Sequence, residues 1–203
     1  MDSRFHNPPR VQLIAAFDHA LDLAVASAKT CCSNAGIVLP QDVAQTPDQR
    51  DQIARSTLSA GHLTTRQHAH FVFALDNVSR QLVWSLLHGH AYYNSEQVSQ
   101  RYVEVVPGHF CRPVLSASAS AIYDQCLQRQ IGTYQQLIAL LTPAAAREYF
   151  SVFPVREKSP EQYRSTILKK VYEVARYVLP LATHTFLYHT VSALTLLRYH
   201  HMA

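Results

Sequence analysis

Phe71, Phe73 and Leu75 alternate with His70, Val72 and Ala74, and this period of two predicts a strand over His70–Asn77 with one strongly apolar face. Leu82, Val83, Leu86 and Leu87 then recur at helical spacing, so the strand feeds a helix that begins near Ser79. Upstream, Val11–Ala16 reads as a short apolar strand after Pro8 and Pro9. Leu21–Cys32 follows as an Ala-rich helix with Leu21, Ala24, Val25 and Ala28 on one face, small enough to pack closely on a sheet. Ile37–Gln49, with Pro40 and Pro47, is a polar surface excursion into a helix over Pro47–Ser59, whose first turn suits Asp48, Asp51 and Gln52.

Downstream, Arg101–Val106 is expected as a further strand and Pro107–Pro113 as a loop. The chain is then mostly helical from Ser118 to Pro154, with Leu127, Ile131, Tyr134, Ile138 and Leu141 three or four apart, and Pro143 is expected to start a new helix. Tyr163, Ile167, Val171, Val174 and Val178 form the stripe of another helix, which Pro180 ends. Thr183–Thr190 alternates again as a strand, and Leu194–Tyr199 starts a last helix. Strands and helices mixed in this way argue an α/β or α+β class in a single domain over residues 1–203.

With 48% apolar and 16% charged residues, 203 residues fill a real core, and disorder is set aside. The net charge of +4 is modest and scattered, which disfavours a nucleic-acid polymer and suits a single phosphorylated small molecule. There is neither an apolar leader nor a membrane-length apolar run, so the expectation is a cytoplasmic protein off the membrane. Cys31, Cys32, Cys111 and Cys126 form no C-x-x-C pair and are expected as buried, reduced thiols. The pairs His68/His70 and His88/His90 have the spacing of strand-borne metal ligands, but His88 and His90 fall at a helix end and no third ligand stands out, so no metal site is assigned.

The stretch from Gly61 to Val106 holds the densest hydrogen-bonding equipment: His62, His68, His88, His90, Asn94, Glu96, Gln97, Ser99, Gln100 and Arg101. Its motifs carry a resemblance to the flavin-dependent thymidylate synthases, a family with successive elements G-H-x-S/T-x-x-E-H, S-R, R-H-R and N-E-x-S-x-R-Y. Gly61, His62, Thr64, Gln67 and His68 follow the first element, Ser79 and Arg80 the second, and Ser99, Gln100, Arg101 and Tyr102 complete the last. Val11–Ile14 with Ala28–Cys31 resemble the family's first strand and helix, and Ala175–Tyr177 with Leu179, Pro180, Ala182 and Thr183 its helix-to-strand junction. The resemblance implies a mixed, largely antiparallel sheet with packed helices. It also implies methylation of deoxyuridylate to thymidylate, with methylene-tetrahydrofolate as carbon donor, FAD as cofactor and NADPH as reductant.

By the same resemblance His62, Thr64, His68, His88, His90 and Gln97 would lie at the flavin, and Ser99, Gln100, Arg101 and Tyr102 at the nucleotide. No cysteine nucleophile is required. The departures fall on cationic positions. R-H-R becomes His88, Gly89 and His90, the N-E pair becomes Glu96 and Gln97, and a later nucleotide-binding arginine falls on Leu194. Imidazoles in place of guanidiniums weaken a phosphate grip, because a neutral imidazole donates one hydrogen bond and a guanidinium five. The family's terminal A-Q-x-E-I-R helix is also missing. The chain therefore resembles the N-terminal half of a two-domain member, expected to self-associate or to pair with a related second half. A catalytically degenerate half that scaffolds an active partner is the alternative.

Overall fold

The computed structural model describes residues 8–34, 36–89 and 93–202. Its elements run β1 (Arg10–Ala16), α1 (Ala20–Cys31), α2 (Pro40–Ala44), α3 (Pro47–Ser59), β2 (His70–Ser79), α4 (Arg80–Gly89), β3 (Tyr93–Gln97), α5 (Ala117–Val152), α6 (Arg164–Ala175), β4 (His184–Ser192) and α7 (Ala193–Met202). The described strands form one four-stranded antiparallel sheet in the order β1-β2-β4-β3. β1 pairs with β2 from Arg10 opposite Asp76 to Ala16 opposite Phe71, with a slip of register between Leu13 and Ala15. The mixed sheet-and-helix class read from the sequence is the one observed.

The chain forms two compact units. A sheet unit comprises Pro9–Asp76, Leu82–Glu96 and the residues from Phe186 on; a helical unit comprises Asn77–Gln81 and Gln97–Thr185. In the sheet unit, α1 turns Ala24, Val25, Ala26 and Ala28 inward. Val25 and Ala26 pack with Val43 of α2 and with Ile53 and Ala54 of α3, so these small side chains close on neighbouring helices, where the sequence suggested a sheet. Asp22 in the first turn of α1 is buried and is held by Arg50 of α3 at 3.2 Å, which ties the two helices by charge as well as by packing.

The core of the helical unit is built around Tyr134, fully buried in α5 against Ile131, Phe110 and Ala175. Ser116 caps α5, its hydroxyl accepting the Ala119 N–H at 3.3 Å. Pro143 does not start a new helix: α5 is continuous across it. The proline removes the N–H that would bond the Ala139 carbonyl, the Thr142 hydroxyl donates to the adjacent Ile138 carbonyl at 2.6 Å, and the packed stripe from Ile131 to Ile138 holds the axis. The stripe from Tyr163 to Val178 is realised as α6 followed by a 3-10 turn at Arg176–Val178.

Arg101–Val106 is not a strand. The Ser99 carbonyl accepts both the Tyr102 and Val103 N–H groups, at 3.2 and 3.0 Å, which bends the chain, and Val105 donates to the Tyr134 hydroxyl at 3.3 Å instead of to a neighbouring strand. The strand lies just before this, in the polar run Tyr93–Gln97. The cysteines are free thiols, but Cys31, Cys32 and Cys126 are exposed, because α1 and α5 bury other faces. Among the described residues no helix is long and apolar enough to cross a membrane, and no group of three His, Cys, Asp or Glu side chains converges as a metal site.

Candidate functional site

In the helical unit the end of β3 leads into a turn at Val98–Tyr102, and a guanidinium from another element reaches it. Arg80 is the first residue of α4, and its backbone is fixed before its side chain is considered: Arg80 N–H donates to the Thr183 carbonyl and Gln81 N–H to the Leu181 carbonyl, both at 3.1 Å. The Arg80 side chain gives Nη2 to the Val98 carbonyl at 2.7 Å. Its Nε is buried with no hydrogen-bond partner among the described residues. Burial, and then the neighbouring Arg176 cation, pull its pKa well below the ordinary guanidinium range, down to about 10. Gln100 in the turn carries a second buried donor, Nε2, that has no partner there.

The turn itself is set by Ser99, whose hydroxyl accepts the Arg101 N–H at 3.2 Å. Arg101 points to the surface and pairs with Glu173 of α6 at 3.2 Å; its side chain is 46% exposed, which makes it available to an anion only in competition with that carboxylate. Arg101 first, and Lys170 after it, hold the Glu173 carboxyl below its ordinary range. Tyr102 lies between two cations, Arg101 at 5.5 Å and Lys169 at 5.6 Å from its ring centre. Gln97, at the end of β3, accepts the Thr185 hydroxyl at 3.3 Å. Ser99, Gln100, Arg101, Tyr102 and Gln97 thus share one segment, and Arg80 and Arg176 border it.

The other residues singled out from the sequence are in the sheet unit. Gly61, at φ 72°, turns the chain from α3 into a 3-10 helix over Leu63–His68, and the His62 N–H donates to the Thr57 carbonyl at 2.9 Å. Thr64 and His68 are exposed on that turn and His62 is half-buried. His88, at the end of α4, stacks on Trp84 at 4.2 Å between ring centres, and its Nδ1 lies 2.7 Å from the Trp84 carbonyl. A carbonyl only accepts, so Nδ1 carries the proton, and a neutral His88 offers at Nε2 a lone pair and no donor. His90 lies outside the described residues. Leu194 is buried at the start of α7.

Beside the 3-10 turn is a cavity of about 390 Å³ lined by Gln67, His70, Tyr93, Asn94 and Thr190–Ser192. Nδ1 of His70 is buried with no partner among the described residues. Next to Tyr93 and Thr190 runs a partly buried chain of polar groups: the Ser95 hydroxyl on Nδ1 of the buried His189, and the Tyr199 hydroxyl 3.1 Å from its Nε2. Burial depresses the His189 pKa and, ahead of the influence of Tyr93, raises that of Tyr199, so both stay neutral at pH 7.

Sequence reasoning did not assign a site role to Arg80, Arg176, His70 or His189. One signal was present for Arg80: it is the one Lys or Arg between Arg66 and Arg101, set at the start of an apolar helix. For His189 there was none, since alternation marks a buried face without saying that a polar side chain shares it.

A family model described as thymidylate synthase complementing protein matches residues 12–203. The flavin-dependent thymidylate synthase of Clostridium tetani is 25% identical over 194 residues, covering 94% of this chain and 72% of that protein. The enzyme of the same name from Nitratidesulfovibrio vulgaris is 32% identical over 144 residues, covering 66% of this chain and 57% of that one. Among solved structures, the UMP/dUMP methylase PolB from Streptomyces cacaoi bound with 5-Br dUMP superposes with a TM-score of 0.64 at 17% identity, over 97% of this chain and 78% of the other. Its complex with 5-Br UMP gives 0.57 at 18%, over 97% and 76%. At such identities the structural likeness is one of fold, and the family-model match over residues 12–203 is what joins fold to family. The chain belongs to the thymidylate synthase complementing protein family.

Proposed function

We propose that the protein is a pyrimidine-nucleotide methylase of the flavin-dependent thymidylate synthase type, acting on deoxyuridylate. The observation that carries this reading is Arg80: a guanidinium in a largely buried setting, with a second cation beside it and a donor left over. An uncompensated buried cation destabilises a fold, and an anion beside it relieves that cost. A nucleotide phosphate meets the need, with Arg80 Nε and Gln100 Nε2 as donors, Arg176 adding charge and Arg101 contributing from the rim. Ser99 keeps the turn in shape through its bond to the Arg101 N–H.

For the cofactor, the cavity of the sheet unit fits the edge of a flavin ring. Gln67, Asn94, Thr190 and Ser192 offer amide and hydroxyl groups of both hydrogen-bonding senses, His70 offers an unused ring nitrogen, and Tyr93 and Val191 offer apolar contact. His62, Thr64, His68, His88, His90 and Gln97 belong to the same reading by resemblance. The chemistry supplied there by a bound, reduced FAD would be hydride transfer, with methylene-tetrahydrofolate as carbon donor and NADPH as the source of electrons. The chain's part is to hold the phosphate, fix the rings and face developing negative charge with donors.

Self-association, or pairing with a related half, belongs to this proposal. β1 is an edge strand whose residues are all exposed, Val11, Leu13 and Ile14 among them, and such an edge is a pairing surface. The scaffolding alternative is favoured by one feature, the apolar and buried Leu194 at a position where the family pattern has an arginine. The experiment is direct: a visible spectrum of the purified protein, with calorimetric titration of deoxyuridylate. Flavin absorption with saturable nucleotide binding is expected. Absence of both makes the chain a scaffold.

A further inference from the structure

The sheet unit holds a second cavity, about 410 Å³, open on one side to solvent and bordered by α1, α3, the 3-10 turn, β2 and α7. This lies within the usual span of small-molecule sites, about 300–1,000 Å³. Its walls are apolar, with Leu21, Val25, Leu58, Phe71 and Leu197 among them. The two hydroxyls that reach it are already committed: Thr57 donates to the Ile53 carbonyl at 2.8 Å and Thr65 to the His62 carbonyl at 3.4 Å. No acidic side chain is among the described residues lining it.

Arg66 is the exception in this lining. Its Nη2 donates to the Ala54 carbonyl at 2.8 Å, while Nη1 is buried with no partner among the described residues. His200, in the last turn of α7, also lines the cavity. The family motif leaves the position of Arg66 open, so that motif does not account for the cation. A buried guanidinium nitrogen beside an apolar hollow calls for an acceptor, and the hollow calls for hydrocarbon.

We propose that this cavity binds a small linear amphiphile, with an apolar chain in the hollow and a single carboxylate head on Nη1 of Arg66. Charge complementarity selects the head, since the lining carries a cation and no anion. The hollow selects the body, since water inside it would find few polar partners.

The probes are decanoate and its neutral counterpart decanol, titrated calorimetrically into the full chain. Wild type binds decanoate saturably; Arg66→Met, which keeps the bulk and removes the cation, binds it at least about tenfold more weakly and leaves decanol unchanged. Leu58→Trp, at an exposed position on the wall, blocks both probes while far-UV circular dichroism and deoxyuridylate titration stay as in wild type. No saturable decanoate binding by the folded wild type overturns the proposal, as do equal decanoate affinities in wild type and Arg66→Met. If neither probe binds but sedimentation shows a dimer that Arg66→Met dissociates, the hollow holds a carboxylate-bearing segment of a second chain, and the small-ligand proposal fails.

Discussion

Replacing Arg80 by Met separates what this side chain does for the fold from what it does for a ligand. Its guanidinium drops from the ordinary arginine range to about 10. At about 1.36 kcal/mol per pH unit that is about 3 kcal/mol, reduced to about 1–2 kcal/mol because partial solvent contact screens the charge. The folded value lies below the unfolded one, so the cost is fully present at pH 7 and is relieved only as pH rises through about 10. Against that gain, the variant loses the bond from Nη2 to the Val98 carbonyl, worth about 1 kcal/mol. Arg80→Met should therefore unfold in urea within about 1 kcal/mol of wild type, or slightly above it. Its deoxyuridylate affinity should fall about ten- to a hundredfold, since a charge-assisted bond to phosphate contributes roughly 1.5–3 kcal/mol. A loss of about 3–5 kcal/mol in stability would mean that a protein group balances this cation, as in a broken buried ion pair, and would refute the reasoning, as would unchanged nucleotide affinity.

Arg101→Ala should cost less than about 1 kcal/mol in urea unfolding, because its pair with Glu173 is a surface one, and should weaken deoxyuridylate binding about tenfold by calorimetry; equal affinities would make Arg101 a structural residue. Pro143→Ala should raise the melting temperature, by about 1–3 kcal/mol of stability, as the missing N–H of α5 is restored; a fall would mean that the proline ring itself is needed for packing. Burial lowers the His189 pKa from 6.5, so the stability that depends on its neutral form is fully present above about pH 6.5 and is lost as pH falls through the folded value. His189→Gln should flatten that acid limb in urea midpoints measured from about pH 7 to 5.

Elements with an apolar period were legible in the sequence. The alternation of Phe71, Phe73 and Leu75 marks β2, although Leu75 and Val78 are its buried residues and both phenylalanines are half-buried, and Ala24, Val25 and Ala28 mark the buried side of α1, from which Leu21 is left exposed. β3 was illegible for the opposite reason: Tyr93–Gln97 is polar, and its mostly exposed side chains carry no apolar period. Tyr102, Val103, Val105 and Val106 look like a strand by composition, yet Tyr102, Val103 and Val106 are exposed, and the Ser99 carbonyl captures the amides that a ladder would need. In the candidate site, motif spacing found the Ser99–Tyr102 turn. It did not rank Arg80 above Arg101, because burial and the lack of a carboxylate are properties of the folded neighbourhood.

Arg66 and Arg80 share a physical predicament, each in its own unit: a guanidinium nitrogen out of water, bonded on one side to a backbone carbonyl and on the other to nothing among the described residues. Stability alone gives no reason to keep such a group, since an apolar side chain of similar size would often serve the fold as well or better. The imidazole at His88 cannot take over the work of a guanidinium while neutral, because its one ring proton already faces the Trp84 carbonyl. With Nδ1 donating there, Nε2 of the neutral ring has only a lone pair to offer, whereas the Arg80 guanidinium keeps its charge and its donors up to about pH 10. Nucleotide affinity that collapses in Arg80→Met and is unchanged in His88→Ala would assign the phosphate to the guanidinium; affinity that survives in Arg80→Met and falls in His88→Ala would assign it to imidazole.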